Sequence, residues 1–189
     1  MLVSVELRVT KQINEMKKIT ILLASLALCS TLFAQEGVFE MSIPSVDIKT
    51  LTGESFNTSG IDNAGKPMVI SFFALWCKPC IRELTAIADV YPDWQEETGV
   101  KLVAVSIDDA RSMANVAPTV NGNGWEYEFY CDPNGDFKRA MGVNMIPHVF
   151  VLDGNKKVVY QHTSYAEGGE NELYEVIKKV AAGEALPKE

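Results

Sequence analysis

The residues of this 189-residue chain best suited to chemistry are Cys77 and Cys80, in the stretch Trp76-Cys77-Lys78-Pro79-Cys80. Two thiols at this spacing can close a small disulfide ring and reopen it without unfolding anything. A thiol attacks as its thiolate, so reactivity follows pKa. The unpaired N–H groups and the dipole at the start of a helix favour that anion. With Cys77 at a strand-to-helix junction and Cys80 about one turn inside, Cys77 is the attacking thiol and Cys80 the resolving thiol. Two other uses of such a pair are a zinc site and a static staple. A zinc site needs four ligands, and a second CxxC is absent. A static staple closes too small a loop to add much stability.

The elements around the pair must supply that junction. Met68 to Leu75 is an almost continuous apolar run, the pattern of a strand buried on both faces. Ile81, Leu84, Ile87, Tyr91 and Trp94 then recur at helical spacing. Pro79 suits a first turn, where a missing N–H costs nothing, and Pro92 is expected to kink or interrupt the helix. Lys101–Ile107 reads as a second buried strand, with Asp108 and Asp109 capping a helix over about 110–120. "NGNG" reads as a loop, Trp125–Tyr130 as a strand, "DPNG" as a turn and Asp136–Met141 as a short helix. Val149–Leu152 and Val158–His162 read as antiparallel strands across a "DGNKK" turn, and Glu170–Ala182 as a closing helix. Upstream, "SVDIKTLTGESFN" reads as a β-hairpin. The order βαβαβαββα predicts an α/β fold, a central mixed sheet flanked by helices.

The bulk numbers fit one globular domain: 47% of residues are apolar and 22% charged. A net charge of −8 and a pI near 4.9 argue against nucleic acid or an anionic membrane as the main partner. The beginning of the chain does not read as fold. Lys17 and Lys18 precede an apolar run, Ile19 to Leu28, and "TLFAQEG" follows. That is the pattern of a secretory signal peptide, with cleavage expected after Ala34. The run falls short of the ~20 residues of a transmembrane helix, although a membrane-anchored form is the alternative. Met16 looks like a natural start, leaving 1–15 as an upstream extension. The expected organisation is extension plus signal peptide over 1–34, flexible lead-in over 35–44 and one domain over 45–185. The mature chain would carry about −10 and keep three cysteines, Cys77, Cys80 and Cys131.

Strand, "WCKPC", helix, and a later Ile146-Pro147 before a strand resemble thioredoxin. The fuller pattern resembles the secreted thioredoxin-like thiol–disulfide oxidoreductases of the TlpA/ResA type, over roughly residues 42–185. The inserted αβ element over 108–132, the secretion signal and the N-terminal hairpin are similar to that subgroup. The resemblance implies that Pro147 is a cis-proline lying against the disulfide, with the backbone of Ile146 free to pair with an extended substrate segment. It implies that Glu83, one turn beyond Cys80, exchanges a proton with that thiol. It places Trp76 beside the active pair as an apolar contact surface; Lys78 and Pro79 inside the motif, and His148 directly after Pro147, read as further residues of the substrate-binding surface. Thioredoxin's buried acid falls on Ser71, which cannot titrate. Lys78 favours the Cys77 thiolate and Glu83 opposes it. Cys131 reads as a small buried hydrophobe and His162 as a solvated edge-strand residue.

The expected activity is reduction of disulfides in exported proteins, cytochrome c precursors among them, by a periplasmic or secreted monomer. It would use the Cys77–Cys80 disulfide as its redox group, with no other cofactor and no metal. The compartment and the resemblance imply electrons drawn through a membrane thiol transporter. Two rivals stand beside this: a disulfide oxidase or isomerase, and a Cu(I)-handling protein using Cys77, Cys80 and His148, since soft thiolates suit Cu(I).

Overall fold

A computed structural model of the chain describes residues 41–184 and residue 186. The expected signal peptide over 1–34 and the lead-in over 35–40 lie outside the described residues. The remainder of that lead-in, 41–44, is tied down rather than loose. Met41 C=O accepts from Val158 N–H at 2.8 Å, Ser42 bridges Lys157, and Pro44 C=O accepts from the Thr58 hydroxyl.

Eleven elements follow: β1 (Asp47–Thr50), β2 (Ser55–Asn57), β3 (Met68–Phe73), α1 (Lys78–Thr98), β4 (Lys101–Ser106), α2 (Val116–Asn123), β5 (Glu128–Cys131), α3 (Asp136–Ala140), β6 (His148–Leu152), β7 (Val158–Thr163) and α4 (Gly169–Ala181). The strands form one mixed sheet in the order β2-β1-β5-β4-β3-β6-β7. β3 lies parallel to β4 and antiparallel to β6, and all six of its residues are buried. That is why its sequence is apolar throughout instead of alternating. The thioredoxin-like α/β fold expected from the sequence is the fold of the described residues.

Alternation along the strands divides the core. Val69 and Phe73 of β3, Leu102 and Ala104 of β4, and Val149 and Val151 of β6 meet Leu84, Ile87 and Trp94 of α1 and Leu173 and Ile177 of α4. Ile70 and Phe72 of β3, Val103 and Val105 of β4, and Phe150 of β6 meet Phe137 and Met141 at α3 on the other face. Burial of such side chains contributes roughly 1.5–3 kcal/mol each, so α1 is held to the sheet along its whole apolar stripe. Trp94 is stacked on Tyr174, ring centroids 5.1 Å apart, joining α1 to α4.

Four expectations differ from the structure. Pro92 does not interrupt α1, which runs 21 residues through it. Pro92 is exposed, so water can satisfy the carbonyl it leaves unpaired, while Tyr91 and Trp94 stay anchored on either side. The helix expected over 110–120 begins later, at Val116, after a 3-10 turn over Met113–Asn115. Three residues of "NGNG" complete its last turn, and only Gly124, with φ at 65°, leaves the helical conformation. The strand expected from Trp125 starts at Glu128.

Candidate active site

β3 ends at Phe73 and the chain turns, with Cys77 N–H donating to Ala74 C=O at 3.0 Å. Cys77 is the N-cap of α1, and its Sγ accepts from the Cys80 backbone N–H at 3.3 Å. Lys78 and Pro79 are the first two helical residues. The junction expected for the pair is therefore present. Cys77 and Cys80 form a disulfide, Cα atoms 5.3 Å apart. Cys77 keeps 5% of its surface exposed and Cys80 none. Of the two, only Cys77 is open to an incoming sulfur.

The turn is also held from the side. Asp108, 1% exposed, accepts from the Leu75 N–H at 2.9 Å and from the Ser106 hydroxyl at 2.8 Å. The sequence marked Asp108 only as a helix cap. Its carboxylate instead fixes the residues leading into Trp76 and Cys77.

Glu83 is on the buried face of α1 with Cys80, and residues three apart on a helix have Cβ atoms about 5–6 Å apart. It is 1% exposed, and its Oε1 lies 2.9 Å from Nε2 of His162. His162 is therefore partly open to solvent but tied to Glu83, not a free edge-strand side chain. Cross-strand pairing with Val149 turns His162 toward α1, because Val149 packs on that face. Glu83 Oε2 is buried without a hydrogen-bond partner, as is the hydroxyl of Ser71.

His148 does not join the site. Its neighbour Val149 packs toward α1, so the pleat sends His148 to the opposite face. There its ring stacks on Phe150 at 4.3 Å and its Nε2 lies 3.0 Å from Gln161. Burial lowers its pKa below the ordinary histidine value, as does the charge of His162, against the Gln161 hydrogen bond. The Cu(I) set of Cys77, Cys80 and His148 is not gathered into a metal-holding group in the described residues. Among the described residues no group of three or more His, Cys, Asp or Glu side chains is placed to hold a metal.

The Ile146–Pro147 peptide is cis. Pro147 C=O accepts from Ser164 N–H at 3.1 Å, while the Ile146 backbone has no partner among the loop hydrogen bonds of the described residues. Trp76 is 69% exposed and Met145 57%, the two large apolar residues left open to solvent in the described chain. Met145 went unremarked in the sequence, where a lone methionine before Ile-Pro carries no signal. Cys131 is a buried free thiol, pushed up to about 11 by burial and by the charge of Asp108.

The profile of the AhpC/TSA family matches residues 40–161. The chain is 32% identical over 97 residues to the thiol–disulfide oxidoreductase ResA of Geobacillus thermodenitrificans, covering 51% of this chain and 54% of that protein. It thus spans about half the length of that relative. It is 27% identical to the ResA of Bacillus cereus over 78% of this chain and 83% of that one. The solution structure of a thioredoxin-like protein from Porphyromonas gingivalis is 56% identical and superposes with a TM-score of 0.67, covering 74% of this chain and 92% of that chain.

Proposed function

This chain belongs to the AhpC/TSA family and is a thiol–disulfide oxidoreductase; we propose that it works in the reducing direction on exported proteins. In the dithiol form, the Cys77 thiolate attacks a substrate disulfide and one substrate sulfur leaves. Cys80 then gives its proton to Glu83 and attacks Cys77 Sγ. The second substrate sulfur departs, and the enzyme is left as the disulfide.

The contrast between Glu83 and Lys78 carries the direction. A strong oxidant of this class owes its potential to a stabilised reduced form. Lys78, which would favour the Cys77 thiolate, is exposed and screened by water. Glu83, which opposes thiolate formation, is buried beside Cys80 where charge acts strongly. The balance disfavours the thiolate and makes the dithiol the better electron donor.

Trp76 and Met145 give an extended, unfolded substrate an apolar surface to lie on. The unpaired Ile146 backbone offers strand-like hydrogen bonds beside the disulfide. This recognition tolerates many sequences, as expected for exported proteins such as cytochrome c precursors. The expected signal peptide puts the monomer in the periplasm or outside the cell, with a membrane thiol transporter renewing the dithiol and no further cofactor. No helix among the described residues is long and apolar enough to cross a membrane.

A Cys80→Ala variant tests this reading by stalling the cycle at the mixed disulfide. Incubated with extract of the exported fraction, it should retain disulfide-containing proteins that dithiothreitol releases. Failure to retain any, while Cys77 still alkylates readily, would contradict it.

A further inference from the structure

Glu83 is held on one side and open on the other. Its Oε1 meets Nε2 of His162 at 2.9 Å, and its Oε2 is buried with an unfilled acceptor site. A carboxylate so placed can take a proton from Cys80, but with a side chain only 2% exposed it cannot pass that charge to water. His162 can, because its side chain is 22% exposed. It lines a cleft of about 330 Å³ with Tyr160, Ser164, Tyr165 and Glu172. Imidazole has two ring nitrogens that gain and lose protons near neutral pH.

We propose that His162 is a proton-relay residue that couples Glu83, and through it Cys80, to the solvent of this cleft. The inference rests on the dithiol-exchange reading above. The relay cycle starts from Glu83 ionised and His162 carrying a proton on each ring nitrogen. At the mixed-disulfide stage the Cys80 S–H bond breaks and its proton goes to Glu83 Oε2. The Cys80 thiolate attacks Cys77 Sγ, the Cys77–Cys80 bond forms, and the bond from Cys77 to the substrate sulfur breaks. That sulfur leaves with the electron pair. Glu83 is now neutral, so His162 no longer faces a negative charge and releases its Nδ1 proton to water in the cleft. Its Nε2–H still donates to Oε1. One proton enters the pair and one leaves, two electrons pass from the dithiol to the substrate, and the pair stays neutral overall.

The groups around the pair permit this. Tyr127, ahead of β5, and Tyr165, beyond β7, both feel the charge of Glu83, and burial raises both phenols, so neither titrates near neutral pH. Tyr160 packs its ring against His162 at 5.9 Å. Glu167 and Glu172 line the same cleft. His148, on the other face of the sheet, opposes a cationic His162 only when itself protonated, and burial resists that.

The test follows both thiols of the reduced full chain with 5,5′-dithiobis(2-nitrobenzoate) in stopped flow from pH 5 to 9. The first thionitrobenzoate released reports attack by Cys77, and the second reports resolution by Cys80. His162→Gln keeps a hydrogen-bond donor for Glu83 but cannot release a proton. Its second phase should slow about tenfold at pH 7 and lose the inflection seen in the wild type, with the first phase within twofold. A second phase unchanged in rate and pH profile overturns the relay. If the variant fails to fold, the wild-type inflection must coincide with the His162 titration followed by NMR, and a mismatch overturns it equally. A wild type that releases no second thionitrobenzoate contradicts instead the dithiol-exchange reading.

Discussion

The carboxylate of Glu83 on α1 lies 2.9 Å from the imidazole of His162 on β7, 79 positions later in the chain. The contact ties the helix that carries both cysteines to an outer strand of the sheet. Glu83→Gln keeps the shape and removes the charge. The Cys80 thiolate should then form at lower pH, read as thiolate absorbance against pH. Resolution of a mixed disulfide with a peptide should slow by about 10²-fold, the lower end of what general acid–base groups contribute. An unchanged titration would show that Glu83 does not act on Cys80.

Trp76 and Met145 are exposed next to the disulfide and the cis-proline, and the proposed function gives them large substrates to bind. Trp76→Ala and Met145→Ser should each raise KM for reduction of insulin several-fold. Both should leave the rate with a small aromatic disulfide within about twofold. Equal losses with both substrates would mean that these residues shape the reactive pair rather than the docking surface.

Asp108 holds the approach to the pair through Leu75 N–H. Asp108→Ala leaves that amide and the Ser106 hydroxyl without their acceptor. Each buried polar group so orphaned costs about 1–3 kcal/mol. Chemical denaturation should show a loss of about 2–4 kcal/mol, with slower attack by Cys77 in the folded protein. Wild-type stability in this variant would show that the contact is incidental.

Much of this arrangement is written locally in the chain. The apolar run of β3, the helical spacing from Ile81 to Trp94 and the cysteine pair at their junction need only neighbouring residues to be read. Glu83 is legible for the same reason, one turn from Cys80. His162 is not. Val158–Thr163 reads Val-Val-Tyr-Gln-His-Thr, without the alternation that would say which residues face α1, so only pairing with β6 decides it. His148 shows the converse. It adjoins Pro147 in sequence, yet the pleat turns it to the other face. Asp108 resembles a helix cap until the fold brings Leu75 beside it. Pro92 reads as a break because the stripe that holds α1 to the sheet on both sides of it acts at tertiary range.

Cys131 gives a signature at high pH. Its folded value of about 11 lies above the ordinary 9.0, so the folded state keeps the thiol proton after the unfolded chain has lost it. The stabilisation is fully present below about pH 9 and is lost as pH rises through about 11. Melting temperature should fall across that window, and Cys131→Ala should flatten the fall between pH 9 and 10, before the buried tyrosines contribute. At pH 7.5 the native thiol should resist iodoacetamide and react after unfolding. Rapid labelling of the native protein would contradict its burial.

The reduction potential of the Cys77–Cys80 pair, equilibrated in dithiothreitol or glutathione buffers and read by alkylation, tests the account most directly. A buried Glu83 and an exposed Lys78 place it with the reductants, at or below about −220 mV and close to the roughly −270 mV of thioredoxin. A value near −120 mV, that of a strong oxidant, would contradict a reducing role and point to an oxidase.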